Sequence, residues 1–202
     1  MILAALGLTE QVKGRTLYCA DAVKRASERP ELKTFFNSNS VSAWDNIEVV
    51  GNWLSPDPVK IAQLKPNLII SSGTCTSYND KTLGISPDHW LHFNILTLND
   101  LYNSINIIGE RTDTYDRANA VINQLKDTAL HASESIRNSN RRKPKIVHER
   151  CICIKPQIYA NPLKSIMIGG HLAPEMIEMA GGISGLSLPG EPCRWIDSNL
   201  EV

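Results

Sequence analysis

The residues from Leu54 to Ser71 constrain the fold more than any other part of the chain. They read Leu54-Ser-Pro-Asp-Pro-Val-Lys-Ile-Ala-Gln-Leu-Lys-Pro-Asn-Leu-Ile-Ile-Ser71. Pro58 stands near a helix start, where its missing N–H costs nothing. Ile61 and Leu64 give the apolar stripe of a two-turn helix. Pro66 cannot continue that helix, and Leu68-Ile69-Ile70 is an unbroken apolar run. A strand buried on both faces and entered from a helix marks a parallel sheet, so the stretch predicts an α/β fold.

The chain has 202 residues, enough for one large or two small domains. Lys and Arg number 21 and so do Asp and Glu, so no basic excess points to nucleic acid. No apolar run approaches the roughly 18 residues of a membrane span, and the chain is expected to be soluble. The apolar start, Met1-Ile-Leu-Ala-Ala-Leu-Gly-Leu8, lacks a basic n-region and an Ala-x-Ala site. It reads as a helix rather than a signal peptide.

Five cysteines at irregular spacing do not make a disulfide framework. Cys151 and Cys153 follow His148 closely, but a closed zinc site wants a second Cys or His pair and none follows. On a strand, Cys151 and Cys153 share one face and His148 points to the other. Small buried thiols are the expected state.

Along the chain, residues 2–8 read as a helix ending at Gly7 and Arg15–Cys19 as a strand. Residues 21–45 read as a short helix and an exposed loop, and Ile47–Val50 as a strand. Ser71–Asn79 is a small polar loop, His92–Thr97 the next strand, and Asp100 caps a helix through Ile108-Gly109. The longest element spans 113–137, where Ala118, Val121, Ile122, Leu125, Ala129, Ala132 and Ile136 form one apolar stripe. Lys145-Ile-Val147 begins another strand, and Pro174 starts a helix that Gly181-Gly182 stops. The expectation is an N-terminal α/β lobe over 1–112, a linking helix over 113–140, and a partial C-terminal α/β lobe over 141–202. The sheets are expected to be mainly parallel.

Several segments together resemble a known family. Ile2–Leu8 resembles its first helix and Gly14-Arg-Thr-Leu-Tyr-Cys19 the strand after it. Ile61-Ala-Gln-Leu-Lys-Pro-Asn-Leu-Ile-Ile70 resembles the first lobe's central helix and strand, and Leu101–Glu110 the lead into a backbone helix. Gly170-His-Leu-Ala-Pro-Glu-Met-Ile-Glu-Met-Ala-Gly-Gly182 and Pro189–Ile196 resemble the opening of the second lobe. The family is that of helical-backbone substrate-binding proteins of ABC importers. It takes up vitamin B12, haem and ferric siderophores, and the chain is most similar to its cobalamin-binding-like branch. The resemblance implies a periplasmic or extracellular, non-catalytic protein that needs no resident cofactor. It would bind a corrinoid or another metal chelate between two lobes and deliver it to an ABC permease.

The same resemblance marks departures. The family's opening strand and its last segments have no counterpart, so the chain looks cut at both ends, and unpaired strand edges would then favour a homodimer. The family's two permease-docking glutamates fall at Val59 and near Asn199, which leaves coupling to a permease open.

In such a fold the ligand meets loops at the carboxyl ends of strands. These supply Tyr18, Cys19, Asp21, Ser72, Thr74, Cys75 and Trp90 from the first lobe. The second lobe supplies Glu149, Arg150, Tyr159, His171 and Trp195. Aromatic rings would cover a macrocycle's apolar faces and short polar groups would meet its amides. His171, beside Gly169-Gly170, is either a ligand to a cobalt or iron centre or a histidine capping the following helix. Trp44 and Trp53 are expected to be packing or surface residues. An enzyme would want a nucleophile elbow, a P-loop, Gly-x-Gly-x-x-Gly or His-Glu-x-x-His, and the chain has none. A divergent family member that no longer transports is the remaining alternative.

Overall fold

The computed structural model describes residues 1–52, 55–73, 86–137, 142–146, 165–168, 171–192 and 194–197, with backbone only for 87, 137, 165–168 and 194–197. The chain divides into two units. One comprises Met1–Ser71, Thr76–His92 and Ser104–Thr128, the other Ser72–Cys75, Phe93–Asn103 and Ala129–Val202.

In the first unit, α1 (Ile2–Ala5) closes as the sequence predicts. Gly7 takes φ 80°, its N–H bonds to Ala4 O, and Leu8 N–H bonds to Leu3 O. This 5→2 and 6→1 pair satisfies two carbonyls that the helix end leaves open. The strand expected over Arg15–Cys19 is shorter: β1 covers Gly14–Arg15 and α2 (Cys19–Ser27) begins where strand was expected. The cause is local. Cys19 N–H bonds to Thr16 O, and the Thr16 hydroxyl sits 3.1 Å from Cys19 Sγ, so the chain turns.

Helix α3 (Ser38–Ala43) starts at a reciprocal cap: Ser40 N–H donates to Asn37 Oδ1 at 2.7 Å and Asn37 N–H to Ser40 Oγ at 3.3 Å. Strand β2 (Glu48–Val49) runs parallel to β1, Gly14 opposite Glu48 and Arg15 opposite Val49. Ala4, Val23 and Trp44 pack together as a core between these elements. Trp44 is 2 % exposed, and its indole N–H donates to Thr9 Oγ1 at 3.1 Å.

The stretch that opened the sequence reading folds as helix, stop and strand. Asp57 caps α4 (Pro58–Gln63), accepting from Val59 and Lys60 N–H at 3.0 and 3.1 Å. Lys65, at φ 46°, ends the helix by donating its N–H to Ala62 O. Strand β3 (Ile69–Ser72) follows and pairs with β4 (Trp90–Phe93). One expectation is corrected here: Ile69 and Ile70 are half-buried rather than covered on both faces. The ladder has two strands among the described residues, too few to enclose a central strand. Strand β4 also begins at Trp90, two residues before the expected His92.

Helices α5 (Leu98–Arg111) and α6 (Tyr115–Arg137) form a close hairpin. A Cβ on Gly109 would lie 2.6 Å from Ala118 Cβ, so only glycine admits this approach. Ile105, Ile108, Ala118, Val121 and Ile122 are buried there. The expected stripe on α6 fades with Leu125 half-buried, and Ala132 is exposed.

In the second unit, the residue capping α5 (Leu98–Arg111) is Thr97 rather than the expected Asp100. Thr97 Oγ1 accepts Asp100 N–H at 3.1 Å, and the Asp100 carboxylate accepts Leu96 and Thr97 N–H at 3.0 and 2.9 Å. Asp100 is therefore the third-residue half of a capping box. Strand β5 (Lys145–Ile146) runs parallel to β7 (Ile183–Ser184), while β6 (Ser165–Ile168) is antiparallel to β8 (Arg194–Asp197). Helix α7 (Ala173–Met179) has Pro174 in its first turn and closes on Gly181 at φ 76°. There the absent side chain of Gly181 makes room for Ile136 of α6.

Candidate functional site

Three groups gather the expected residues that the structure describes. The first is on α2. Spacings of four residues put Tyr18, Ala22 and Ala26 in one row and Asp21 and Arg25 in the next, and Arg29 follows just past the helix end. Together they line an open groove of about 470 Å³. Tyr18 is 58 % exposed at the helix start, and Asp21 is exposed in its first turn. Cys19, expected as a buried thiol, is half-buried and free, packed at the edge of the Trp44 core.

The second group is at β3 and β4. Trp90 and His92 alternate by two along β4 and so share a face. The Trp90 indole N–H donates to Ser71 Oγ at 2.6 Å, and His92 Nδ1 lies 2.8 Å from the same oxygen. Trp90 is half-buried, His92 exposed, and Ser72 exposed at the end of β3. Ser71 and His92 are absent from the candidates drawn from sequence. The signal was there in the Trp90-Leu-His92 alternation, but their common partner lies 19 and 21 positions away.

The third group surrounds α7. His171 Nδ1 accepts the Ala173 N–H at 3.1 Å, which is the capping reading of this residue. An acceptor Nδ1 carries no proton, so the neutral ring holds its proton on Nε2. Coordination of a metal through Nε2 would require that proton to move to Nδ1 and the cap to break. Glu175, one turn on, reaches out of its own helix and accepts the Leu98 N–H of α5 at 2.6 Å. The start of α5 thus holds two carboxylates where its exposed N–H groups favour negative charge. Burial works to raise the Asp100 carboxyl, but the Thr97 side chain and the Leu96 and Thr97 N–H groups outweigh it and hold it below its usual range. Tyr102 moves the other way: burial first, then the Glu175 carboxylate, push its phenol up.

Thr74, Cys75, Glu149, Arg150, Tyr159, Asn199 and Trp53, with the His148, Cys151 and Cys153 triplet, lie outside the described residues. Trp195 is described in backbone only, as part of β8. Among the described residues no group of three or more His, Cys, Asp or Glu could hold a metal ion. No described helix is long and apolar enough to cross a membrane.

Comparison with solved structures finds the same fold in proteins of low sequence identity. Staphylococcus aureus IsdE, solved with haem, matches at TM-score 0.66 and 16 % identity, over 100 % of this chain and 66 % of that one. An ABC-type Fe3+-hydroxamate transport protein of Saccharomonospora viridis matches at 0.61 and 16 %, over 97 % and 64 %. The vitamin B12 binding protein BtuF of Vibrio cholerae matches at 0.57 and 16 %, over 97 % and 66 %. The chain thus spans just under two thirds of each of these proteins. No curated protein sequence matches it. The family model described as periplasmic binding protein matches residues 1–169, most of the chain. With its short parallel sheets, its long helix and this match, the chain belongs to the periplasmic binding protein family.

Proposed function

We propose that this chain is the ligand-capturing part of an ABC importer and binds a metal chelate, with a corrinoid such as cobalamin as the first candidate. Haem and ferric siderophores are the alternatives. The observation that carries the reading is the family match over residues 1–169; the likeness to haem, vitamin B12 and Fe3+-hydroxamate proteins supports the ligand class. The family's setting supports a periplasmic or extracellular location. The chelate is cargo, and no resident cofactor is invoked.

The side chains proposed to meet it are Tyr18, Asp21, Ser72, Trp90 and His171, with Thr74, Tyr159 and Trp195. Trp90 offers an indole face whose N–H is already satisfied by Ser71, so the ring can cover an apolar macrocycle without stranding a donor. His171 acts here through its ring edge rather than as a metal ligand, because its Nδ1 is committed to the α7 cap.

A second reading has one observation in its favour. Val59, at the position of a docking glutamate in the family resemblance, is 63 % exposed and has no charge to offer a permease arginine. The chain would then bind its chelate without delivering it.

Titration with cyanocobalamin, hemin and a ferric hydroxamate, followed by tryptophan quenching and calorimetry, tests the proposal. Saturable one-site binding of one of them, weakened by Trp90→Ala, is the expected result. No saturable binding of any of the three overturns it.

A further inference from the structure

The second unit carries a basic patch separate from the residues proposed to meet the chelate. The chain is electrically neutral overall, yet Arg141-Arg-Lys-Pro-Lys145 concentrates four cations in one short segment. Arg142, Lys143 and Lys145 are exposed and line an open concavity of about 620 Å³ with Pro144 and Ile183. Among the described residues no carboxylate lines it. Among the described residues the ion pair formed is Lys60 with Glu48, in the other unit, and none of these three cations takes part in one.

The β5–β7 ladder fixes what lies beside the charges. Lys145 stands opposite Ile183, which is 49 % exposed, and Ile146, next along β5, is 36 % exposed. Lys145 and Ile183 thus stand side by side, with Ile146 turned to the opposite face, on backbone that is hydrogen-bonded in place: Ile183 N–H donates to Pro144 O and Gly185 N–H to Ile146 O, both at 2.8 Å. An enclosed small anion would need converging donors. An open concavity lined by three cations with Pro144 and Ile183 instead matches a surface that carries many anions and an apolar layer beneath them.

We propose that Arg142, Lys143 and Lys145, with Ile183, form a docking surface for anionic phospholipid headgroups, adsorbing this unit on a membrane face. The lysine and arginine stems lie along the interface while their charged ends meet phosphates, and Ile183 sits at the headgroup level. Each cation contributes about a fivefold gain in partitioning at low salt, and the gain shrinks as salt shortens the Debye length. The docking does not depend on which chelate the protein binds.

Sedimentation of the full chain with vesicles tests it. The expected result is binding to phosphatidylglycerol–phosphatidylcholine vesicles at 50 mM salt, lost at 500 mM, and none to pure phosphatidylcholine. The triple variant Arg142→Gln, Lys143→Gln, Lys145→Gln should lose more than tenfold with an unchanged melting temperature. Lys143→Arg with Lys145→Arg should keep binding, and Ile183→Ser should weaken it at fixed charge. Equal binding to neutral vesicles, full binding by the triple variant, or binding of inorganic phosphate without vesicle binding would each overturn the proposal.

Discussion

Arg117, in the first turn of the long helix α6, donates from Nε to the carbonyl of Ala5 at 2.6 Å, across 112 positions of sequence. A second guanidinium nitrogen donates to Phe35 O at 2.9 Å. One side chain therefore ties the end of the first helix and a distant loop to α6, with its positive charge at the C-terminal end of α1, where open carbonyls favour it. Arg117→Ala should destabilise the chain by about 1–2 kcal/mol, because both carbonyls lose a charged donor. Arg117→Lys should recover only part, since an ammonium cannot reproduce the fork. Urea melts of the three proteins decide it; an alanine variant as stable as the parent would show that water replaces both bonds without cost.

Gly109 and Ala118 set how closely α5 and α6 approach. Gly109→Ala should cost about 1–3 kcal/mol by forcing the helices apart. Adding Ala118→Gly should restore part of that loss despite the poorer helix propensity of glycine. Thermal melts of the two single variants and the pair give the coupling energy, which should favour the pair over the sum of the singles.

Asp100 carries a pH dependence of known sign. Its carboxyl is held below the usual range in the folded chain, so the stability it supplies is present above the unfolded carboxyl pKa. That stability is lost as pH falls through the lower, folded value. Asp100→Asn should therefore reduce the melting temperature near neutral pH and flatten its fall on the acid side. Parallel melting-temperature profiles that never converge in acid would refute the assignment.

The imidazole of His171 should be the Nε2–H tautomer, as its Nδ1 accepts from Ala173. Nitrogen-15 long-range spectra read this directly. His171→Ala should cost about 1 kcal/mol through the lost cap. If a chelate's metal takes Nε2 instead, the ring proton should appear on Nδ1 when ligand is added, at the expense of the cap.

The helix–stop–strand reading of Leu54–Ser71 was legible because each step rests on neighbours: Asp57 and Pro58 at the start, Lys65-Pro66 at the end, then an apolar run. The same holds for Gly7 and Gly181, whose positive φ is a local demand. What failed was the extent of burial and of strands. Thr16 turned an apparent strand into a helix start, and Ile70 looked like a central strand in a place with a single described neighbour. Asp100 was found but misplaced, since Thr97 and Asp100 satisfy the same helix end reciprocally and either can be taken for the cap. Of the site, Trp90 and His171 were legible as residue types in loops or strand ends. The partner of Trp90 was not, because Ser71 lies 19 positions away, and neither was the bond from Leu98 N–H to Glu175, which spans 77 positions that no local pattern encodes.

Lys65 is one of two non-glycine residues with positive φ among those described, and it stands directly before Pro66. A helix closing on such a residue normally adds a second bond from the next N–H, and proline has none to give. The junction therefore works as a ratchet tooth on the chain's register. Helix α4 cannot lengthen by taking residues from β3, nor can β3 slide back into the helix. A residue inserted in α4 must be absorbed upstream, toward Asp57, leaving Ser71 and its bond to Trp90 where they are.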